Sequence, residues 1–351
     1  MRALTVEPGR SGSVRVEDVP DVTPGEGELL VRAVAVGVCG TDKEIVRGEY
    51  GWAPPDRQRL VLGHESLGRV EHAPPGSDVR PGDLVVGVVR RPDPEPCGAC
   101  ARGEWDMCRN GRYTERGIKS LDGFASQWWT TPVEYAVVVD SRLGPAGVLT
   151  EPTSVVAKAW EQVDRTGDRA WFSPRTVLVT GAGPIGLLAA MIGVQRGLDV
   201  HVLDRVTDGV KPDLVASLGA TYHHGSLADA ARAARPDVVI EATGVGSVAF
   251  DAMAETGPYG IVCLTGVSPR GRALRIDAGA LNRELVLEND VVVGSVNANL
   301  RHYRAAADHL AHADVAWLRR LITTTVPLED FATAFDRDRD DVKVVLALED
   351  F

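Results

Sequence analysis

No stretch of this chain is apolar for long enough to cross a bilayer, which takes about 20 residues. It has no internal repeat and no low-complexity segment, so solenoids and tail-like linkers are set aside. Positive charge is in deficit: Lys and Arg number 38 against 49 Asp and Glu, for a formal net charge of −11. Nucleic acid and anionic membrane both ask for a basic face, and neither is expected as a partner. The acidity reads as solubility, and the cluster Asp336-Arg337-Asp338-Arg339-Asp340-Asp341 reads as a solvated turn. The N-terminal run Met1-Arg2-Ala3-Leu4-Thr5-Val6 meets Pro8-Gly9 without the apolar core and cleavage site of a secretory signal. A cytoplasmic protein is the expectation. Cysteine is scarce at five, an odd number, and three crowd into Cys97, Cys100 and Cys108. In a reducing compartment that crowding indicates metal binding rather than a disulfide framework.

With 351 residues, 44% hydrophobic and 25% charged, the chain is an ordinary globular sequence with room for two domains. Its first third reads as all-β. Short apolar runs at 28–36, 67–71 and 83–89 are separated by turns such as Pro24-Gly25-Glu26-Gly27, Pro74-Pro75-Gly76 and Pro81-Gly82-Asp83. The pattern changes near Glu151. Residues 154–164 carry helical periodicity, and strands then alternate with helices: strands at 176–180, 199–203, 238–241, 261–265 and 291–296, helices at 186–196, near 214–218 and at about 247–255. Such alternation marks an α/β domain with a doubly wound parallel sheet. A helix at 303–311 and a strand at 341–348 close the chain; too small for a core of their own, they are expected to rejoin the first domain. The apolar triplets Leu285-Val286-Leu287 and Val291-Val292-Val293 read either as a subunit contact or as buried strand.

Two constellations carry chemistry. Val177-Leu178-Val179-Thr180 runs into Gly181-Ala182-Gly183-Pro184-Ile185-Gly186 and an apolar helix, and Asp204 closes the next strand. That is the context a dinucleotide fingerprint requires: glycines for the tight turn, the approach of the pyrophosphate and helix packing, with helix N–H groups on the phosphates. Asp204 would accept from the ribose hydroxyls of NAD and repel the 2′-phosphate of NADP, which Arg205 could offset; NAD is favoured and NADP is admitted. The second constellation is Gly63-His64-Glu65 with Cys39 upstream and Glu151-Pro152 downstream. A thiolate, an imidazole and carboxylates suit a catalytic zinc, which needs about three protein ligands and an open position. Taken singly, Cys39 is a small buried hydrophobe, Glu151-Pro152 a helix start and Cys263 core.

These motifs, in this order and with Cys39-Gly40-Thr41-Asp42 ahead of them, resemble the zinc-containing medium-chain dehydrogenase family over essentially the whole chain. The resemblance implies a GroES-like catalytic domain from residues 1–152 and 297–351, with a Rossmann domain at 153–296. Val89-Arg90-Arg91-Pro92, Glu115-Arg116-Gly117-Ile118, Leu149-Thr150-Glu151-Pro152 and Gly294-Ser295-Val296-Asn297, followed by His302-Tyr303, are similar to the microbial glucose 1-dehydrogenases within that family. By resemblance the zinc ligands are Cys39, His64 and either Glu65 or Glu151. Thr41, Glu115, Glu151 and Asn297 fall at positions that contact sugar or cofactor. Thr243, Gly244, Thr265, Gly266, Val267, Ser295, Val296 and Asn297 join the glycine-rich loop, Asp204 and Arg205 in holding the dinucleotide. Thr41 could receive the substrate proton; Glu44 stands where alcohol dehydrogenases often continue the relay with histidine. Zinc-dependent oxidation of D-glucose or a related aldose at C1 is implied, with a polyol, threonine-like or secondary alcohol as the same-fold alternative and a cofactor-binding sensor as the alternative without turnover. A homodimer or homotetramer is implied as well. Relatives often hold a second, structural zinc on four cysteines. Here Cys97, Cys100 and Cys108 match three of them, Pro94 replaces the first, and Asp93 is the expected fourth ligand; a metal-free lobe is the alternative.

Overall fold

The strand Glu28–Val38 organises the first part of the protein. In its first half Leu29, Val31 and Ala33 are buried while Leu30 and Arg32 are half-buried, the alternation of a strand with one covered face. From Ala33 to Val38 every residue is buried, because packing covers both faces there. The computed structural model describes residues 1–269, 271, 273–336 and 341–349; most of the 336–341 cluster lies outside the described residues. Two compact units are present, one of residues 1–154 with the segment from Asn297 onward, the other Val155–Val296.

In the first unit a sheet runs in the order Ala136–Val138, Leu84–Gly87, Glu65–His72, Glu28–Val38, Lys343–Ala347, Ile322–Pro327, with Trp128–Pro132 also on Glu28–Val38. Its central strand pairs Gly37 with Glu65 on one side and Val38 with Val344 on the other. The last strand of the chain is therefore stitched into the middle of the sheet built by the first. A second, small sheet joins Arg90–Arg91, Thr114–Arg116 and Ser120–Leu121. Phe124 packs edge-to-face on Trp129, with ring centroids 4.8 Å apart, and its N–H donates to the Gly63 carbonyl at 2.9 Å. That contact supports the turn from which His64 and Glu65 emerge.

The second unit is a parallel sheet in the order Thr221–His223, Asp199–Leu203, Thr176–Thr180, Val238–Glu241, Ile261–Leu264, Val291–Gly294. The chain winds outward one way from Thr176–Thr180 and then the other way from Val238–Glu241, so the switch point lies between these two strands, where open α/β sheets bind ligands at their carboxyl ends. The helix Thr150–Gly167 carries Glu151 and Pro152 in its first turn.

Several elements depart from the sequence reading. The triplet Leu285-Val286-Leu287 is no strand; it lies in the helix Ala278–Glu288, which Asp277 caps by accepting from the Ala280 N–H at 3.0 Å and which ends on Asn289 with φ 58°. None of its residues is buried. Thr221–His223, Leu227–Ala234, Val315–Leu321 and Ile322–Pro327 are further elements that periodicity did not reveal. Among the described residues no helix is long and apolar enough to cross a membrane.

Phe124 is fully buried. Phe124→Ala is expected to cost about 3–5 kcal/mol, as large core truncations do. The measurement is the urea midpoint at unchanged m; a loss below 1 kcal/mol would show that the core around Gly63 refills the space.

Candidate active site

Cys39 ends the central strand and caps the short helix Gly40–Val46. Its thiol accepts the Thr41 N–H at 3.3 Å, and Asp42 reaches back to accept the Cys39 N–H at 2.9 Å, a capping box with cysteine in the place usually held by serine or threonine. The arrangement aims Cys39 Sγ at His64 Nε2, 3.0 Å away, and sets Asp42 Oδ1 3.2 Å from His64 Nδ1. One imidazole thus stands between a thiol and a carboxylate. Burial works against charge on His64, yet Asp42 and Cys39 hold its pKa well above the ordinary value. Asp42 is opposed by its own burial as well, and His64 with the Cys39 N–H brings it below the usual carboxylate range.

Glu65 completes the group: ligand-type atoms of Cys39, His64 and Glu65 all lie within 4.8 Å of one another. Gly37, opposite Glu65 in the sheet, makes room for it. A methyl group on Gly37 would overlap the Glu65 carboxylate and come within 2.9 Å of Lys343 Cε. Lys343, only 1% exposed, sets its ammonium against Glu65 Oε2 and donates to the Val38 carbonyl at 3.2 Å. The contact with Glu65 is an ion pair off the hydrogen-bond direction, and Glu65 Oε2 accepts no hydrogen bond. Of the two carboxylates open as third ligand, the structure gathers Glu65, and not Glu151, with Cys39 and His64. Burial pushes the Glu151 carboxyl up to about 7; Glu65 and Asp42 add to the rise, and His64 and Lys343 oppose it. Thr41 lies two residues after Cys39 in the first turn of the helix, whereas Glu44 is exposed and is not part of this group.

Glu115 is buried, and its Oε1 takes two bonds from the Arg90 guanidinium, at 2.9 and 3.0 Å. Arg90 also donates to the Asp106 carbonyl and lies 3.6 Å over the Tyr113 ring. Asn297 joins them. In the orientation that satisfies both partners, its amide nitrogen donates to Glu115 Oε1 at 3.1 Å and its oxygen accepts from Arg90. Two predicted sugar contacts, distant in sequence, are brought together by an arginine that sequence reading had not singled out.

The cysteine lobe gathers Cys97, Cys100 and Cys108, with Cys97 Sγ 3.7 Å from Cys100 Sγ. The N–H groups of Arg109 and Cys100 hold the Cys97 thiol down to about 6. The Asp93 carboxylate is not among the ligand-type atoms gathered within 4.8 Å of one another in the lobe. Its Oδ1 accepts the Glu95 N–H at 2.8 Å and its Oδ2 faces Arg112 at 3.5 Å; the Asp93 backbone N–H reaches the Cys100 thiol.

In the second unit Gly181 turns the chain at φ 93°, and a methyl on Gly186 would run into the Gly181 carbonyl oxygen. Gly183 faces open space, Pro184 starts the helix Pro184–Gln195 and Ile185 follows it. Asp204 Oδ2 accepts the Ala182 N–H and Oδ1 the Arg205 N–H, each at 2.7 Å, so this carboxylate braces the glycine loop; Arg205 is exposed. Glu241, fully buried at the switch point, takes the N–H and hydroxyl of Thr243 on Oε1. Its carbonyl accepts from Thr265 and Gly266 at 2.8 and 3.0 Å. A methyl on Gly266 would strike Gly244, so these two loops need both glycines. Val267 is exposed, the Ser295 N–H donates to Leu264, and the Val296 carbonyl accepts from Lys158. Asp42, Lys343, Arg90 and Glu241 were not read as functional. Only Asp42 had a local signal, its place three residues after a cap.

Residues 144–348 match the family model described as glucose dehydrogenase C-terminus, and residues 25–141 that of the alcohol dehydrogenase GroES-like domain. The glucose 1-dehydrogenase of Methanocella arvoryzae is 40% identical, with 99% of each chain covered. That of Thermoproteus tenax is 42% identical over 99% of this chain and all of its own. The structure of Haloferax mediterranei glucose dehydrogenase in complex with NADP, Zn and gluconolactone superposes with a TM-score of 0.91 at 33% identity, covering both chains completely.

Removing Arg90 would leave the buried Glu115 charge uncompensated. Arg90→Met is expected to lower stability by about 3–5 kcal/mol, and adding Glu115→Gln should recover part of the loss. Chemical unfolding of the single and double variants checks this; equal losses would mean that the pair is not coupled.

Proposed function

The chain belongs to the family of glucose dehydrogenases built on an alcohol dehydrogenase GroES-like domain, and from that membership we propose that it oxidises D-glucose, or a related aldose, at C1 to the lactone with zinc and NAD(P). The observation that carries the proposal is the Cys39–His64–Glu65 group. It fits zinc on three counts. It offers S, N and O donors with room for a fourth ligand. Its histidine is oriented by Asp42, as metal-bound histidines are by an outer carboxylate. It holds a buried carboxylate oxygen that accepts no hydrogen bond. Zinc bound there would act as a Lewis acid that lowers the pKa of a sugar hydroxyl.

The chain's own residues supply the rest. In this reading Cys39, His64 and Glu65 hold the metal, and Glu151, whose carboxyl feels the charges of His64 and Glu65, exchanges with Glu65 as substrate enters. The Thr41 hydroxyl receives the proton released from the C1 hydroxyl, and the exposed Glu44 passes it on toward solvent. Arg90 leaves Glu115 oriented as a hydrogen-bond acceptor for sugar hydroxyls, with Asn297 beside it. Gly181 to Gly186 bind the pyrophosphate through backbone N–H groups, and the loops tied by Glu241 line the same strand ends. The C1 hydride leaves with its electron pair to the nicotinamide, giving lactone, NAD(P)H and one proton. Asp204 disfavours a 2′-phosphate and Arg205 tempers that, so NAD is preferred and NADP is used.

The three gathered thiols of the lobe form a second zinc site, with the buried Asp93 carboxylate as its fourth ligand; a metal-free lobe is the alternative. Free cysteines suit a reducing, cytoplasmic setting. A second copy of this chain is the partner proposed for the second unit. There Val286 and Leu287 are 66% and 60% exposed, and Val291–Gly294 forms the outer strand of its sheet, the features of a dimer or tetramer contact.

Purified protein is expected to reduce NAD, and more slowly NADP, with D-glucose, to stop after chelation and to resume on adding zinc. Galactose, xylose, sorbitol, threonine and simple alcohols complete the screen. Turnover on sorbitol or an alcohol but on no aldose would replace the substrate assignment, and cofactor binding without any turnover would make the protein a sensor. Metal analysis should find two zinc ions per chain; one would remove the lobe site.

A further inference from the structure

Lys343 is the one part of the metal group that neither the family comparison nor the mechanism above uses. It is buried to 1% exposure, and its ammonium meets the Glu65 carboxylate and the Val38 carbonyl. A lysine is almost never buried so completely unless anions compensate it. Here the compensating oxygen, Glu65 Oε2, belongs to the same carboxylate that stands with Cys39 and His64 as a ligand group. We propose that Lys343 is a positioning residue that competes with the metal for Glu65, holding the ligand set together without metal and weakening zinc binding when metal arrives.

The inference rests on the zinc reading above. Its physical basis is charge. The carboxylates of Glu65 and Asp42 both lie close to His64, and without a further cation they would repel one another in a dry site. An ammonium quiets that repulsion, so the sheet register that brings Glu65 opposite Gly37 can form before any metal is present. A divalent ion drawn to the same carboxylate repels the ammonium. By linkage, whatever zinc loses to Lys343, Lys343 loses to zinc. The lysine stem is flexible and its second acceptor, Val38, is a backbone carbonyl, so the ammonium can let go of Glu65 and keep one hydrogen bond.

A plain structural brace predicts the opposite sign, since loss of a residue that pre-orients Glu65 would weaken zinc binding. The test is zinc affinity, read by competition with a chromophoric chelator, together with the melting temperature of the metal-stripped protein. Lys343→Met is expected to bind zinc about tenfold more tightly, to melt lower than wild type when stripped and to recover most of that loss with zinc. Lys343→Arg, which keeps the cation, should stay near wild type in both. Unchanged or weaker zinc affinity in Lys343→Met would overturn this proposal and leave the zinc reading standing. Failure of the wild-type protein to bind zinc at all would overturn both. If Lys343→Met does not fold, wild-type crystals grown with and without zinc carry the test: Nζ should part from Glu65 Oε2 in the zinc-loaded form, and an unchanged ion pair would sink the idea.

Discussion

Buried negative charge at the end of the strand Glu28–Val38 is the constraint on which the first unit depends. Cys39 and Asp42 flank His64, Glu65 stands beside them, and the protein answers with a histidine whose pKa is raised, a buried lysine and a helix start. None of these answers is local. His64 comes from the turn before Glu65–His72, and Lys343 comes from the last strand of the chain. The antiparallel pairing of Lys343–Ala347 with Glu28–Val38 is what delivers the compensating charge. The topology that returns the C-terminus to the first sheet is therefore also an electrostatic device.

The second unit solves a related problem with backbone groups. Glu241 is fully buried at the switch point, and its Oε1 is met by the N–H and hydroxyl of Thr243 rather than by a cation. Its carbonyl and carboxylate together tie the ends of Val238–Glu241 and Ile261–Leu264, so the loops that face the cofactor cleft are set by one residue. Arg90 plays the corresponding part in the small sheet of the first unit, where a guanidinium in a stack with Tyr113 fixes the direction of Glu115 and Asn297.

The sequence was most legible where a motif and its context are contiguous. Thr176–Thr180, Asp199–Leu203 and Val238–Glu241 could be read to the residue, and Gly181 to Gly186 could be assigned roles one by one. The helix Ala278–Glu288 was not legible, because the short apolar run Leu285-Val286-Leu287 admits a strand or a subunit contact while the Asp277 and Asn289 caps decide for helix. The metal group was legible as a set of residue types, but which carboxylate stands beside Cys39 and His64 needed the register of Gly37 against Glu65. Lys343 and Arg90 were out of reach for the same reason: a charge that compensates another across the sheet leaves no mark on its own neighbourhood. Asp93 shows a contact that no spacing announces: its backbone N–H reaches the Cys100 thiol.

Asp204 has a consequence for anyone who would redesign the coenzyme choice of this enzyme. Its carboxylate is at once the group that would face a ribose and the acceptor for the Ala182 N–H in the middle of the glycine loop. Exchanging it for a neutral or basic residue to welcome a 2′-phosphate would release that N–H and slacken the pyrophosphate cradle. Specificity and loop rigidity are linked through one side chain, so a successful exchange has to bring a replacement acceptor for Ala182 with it.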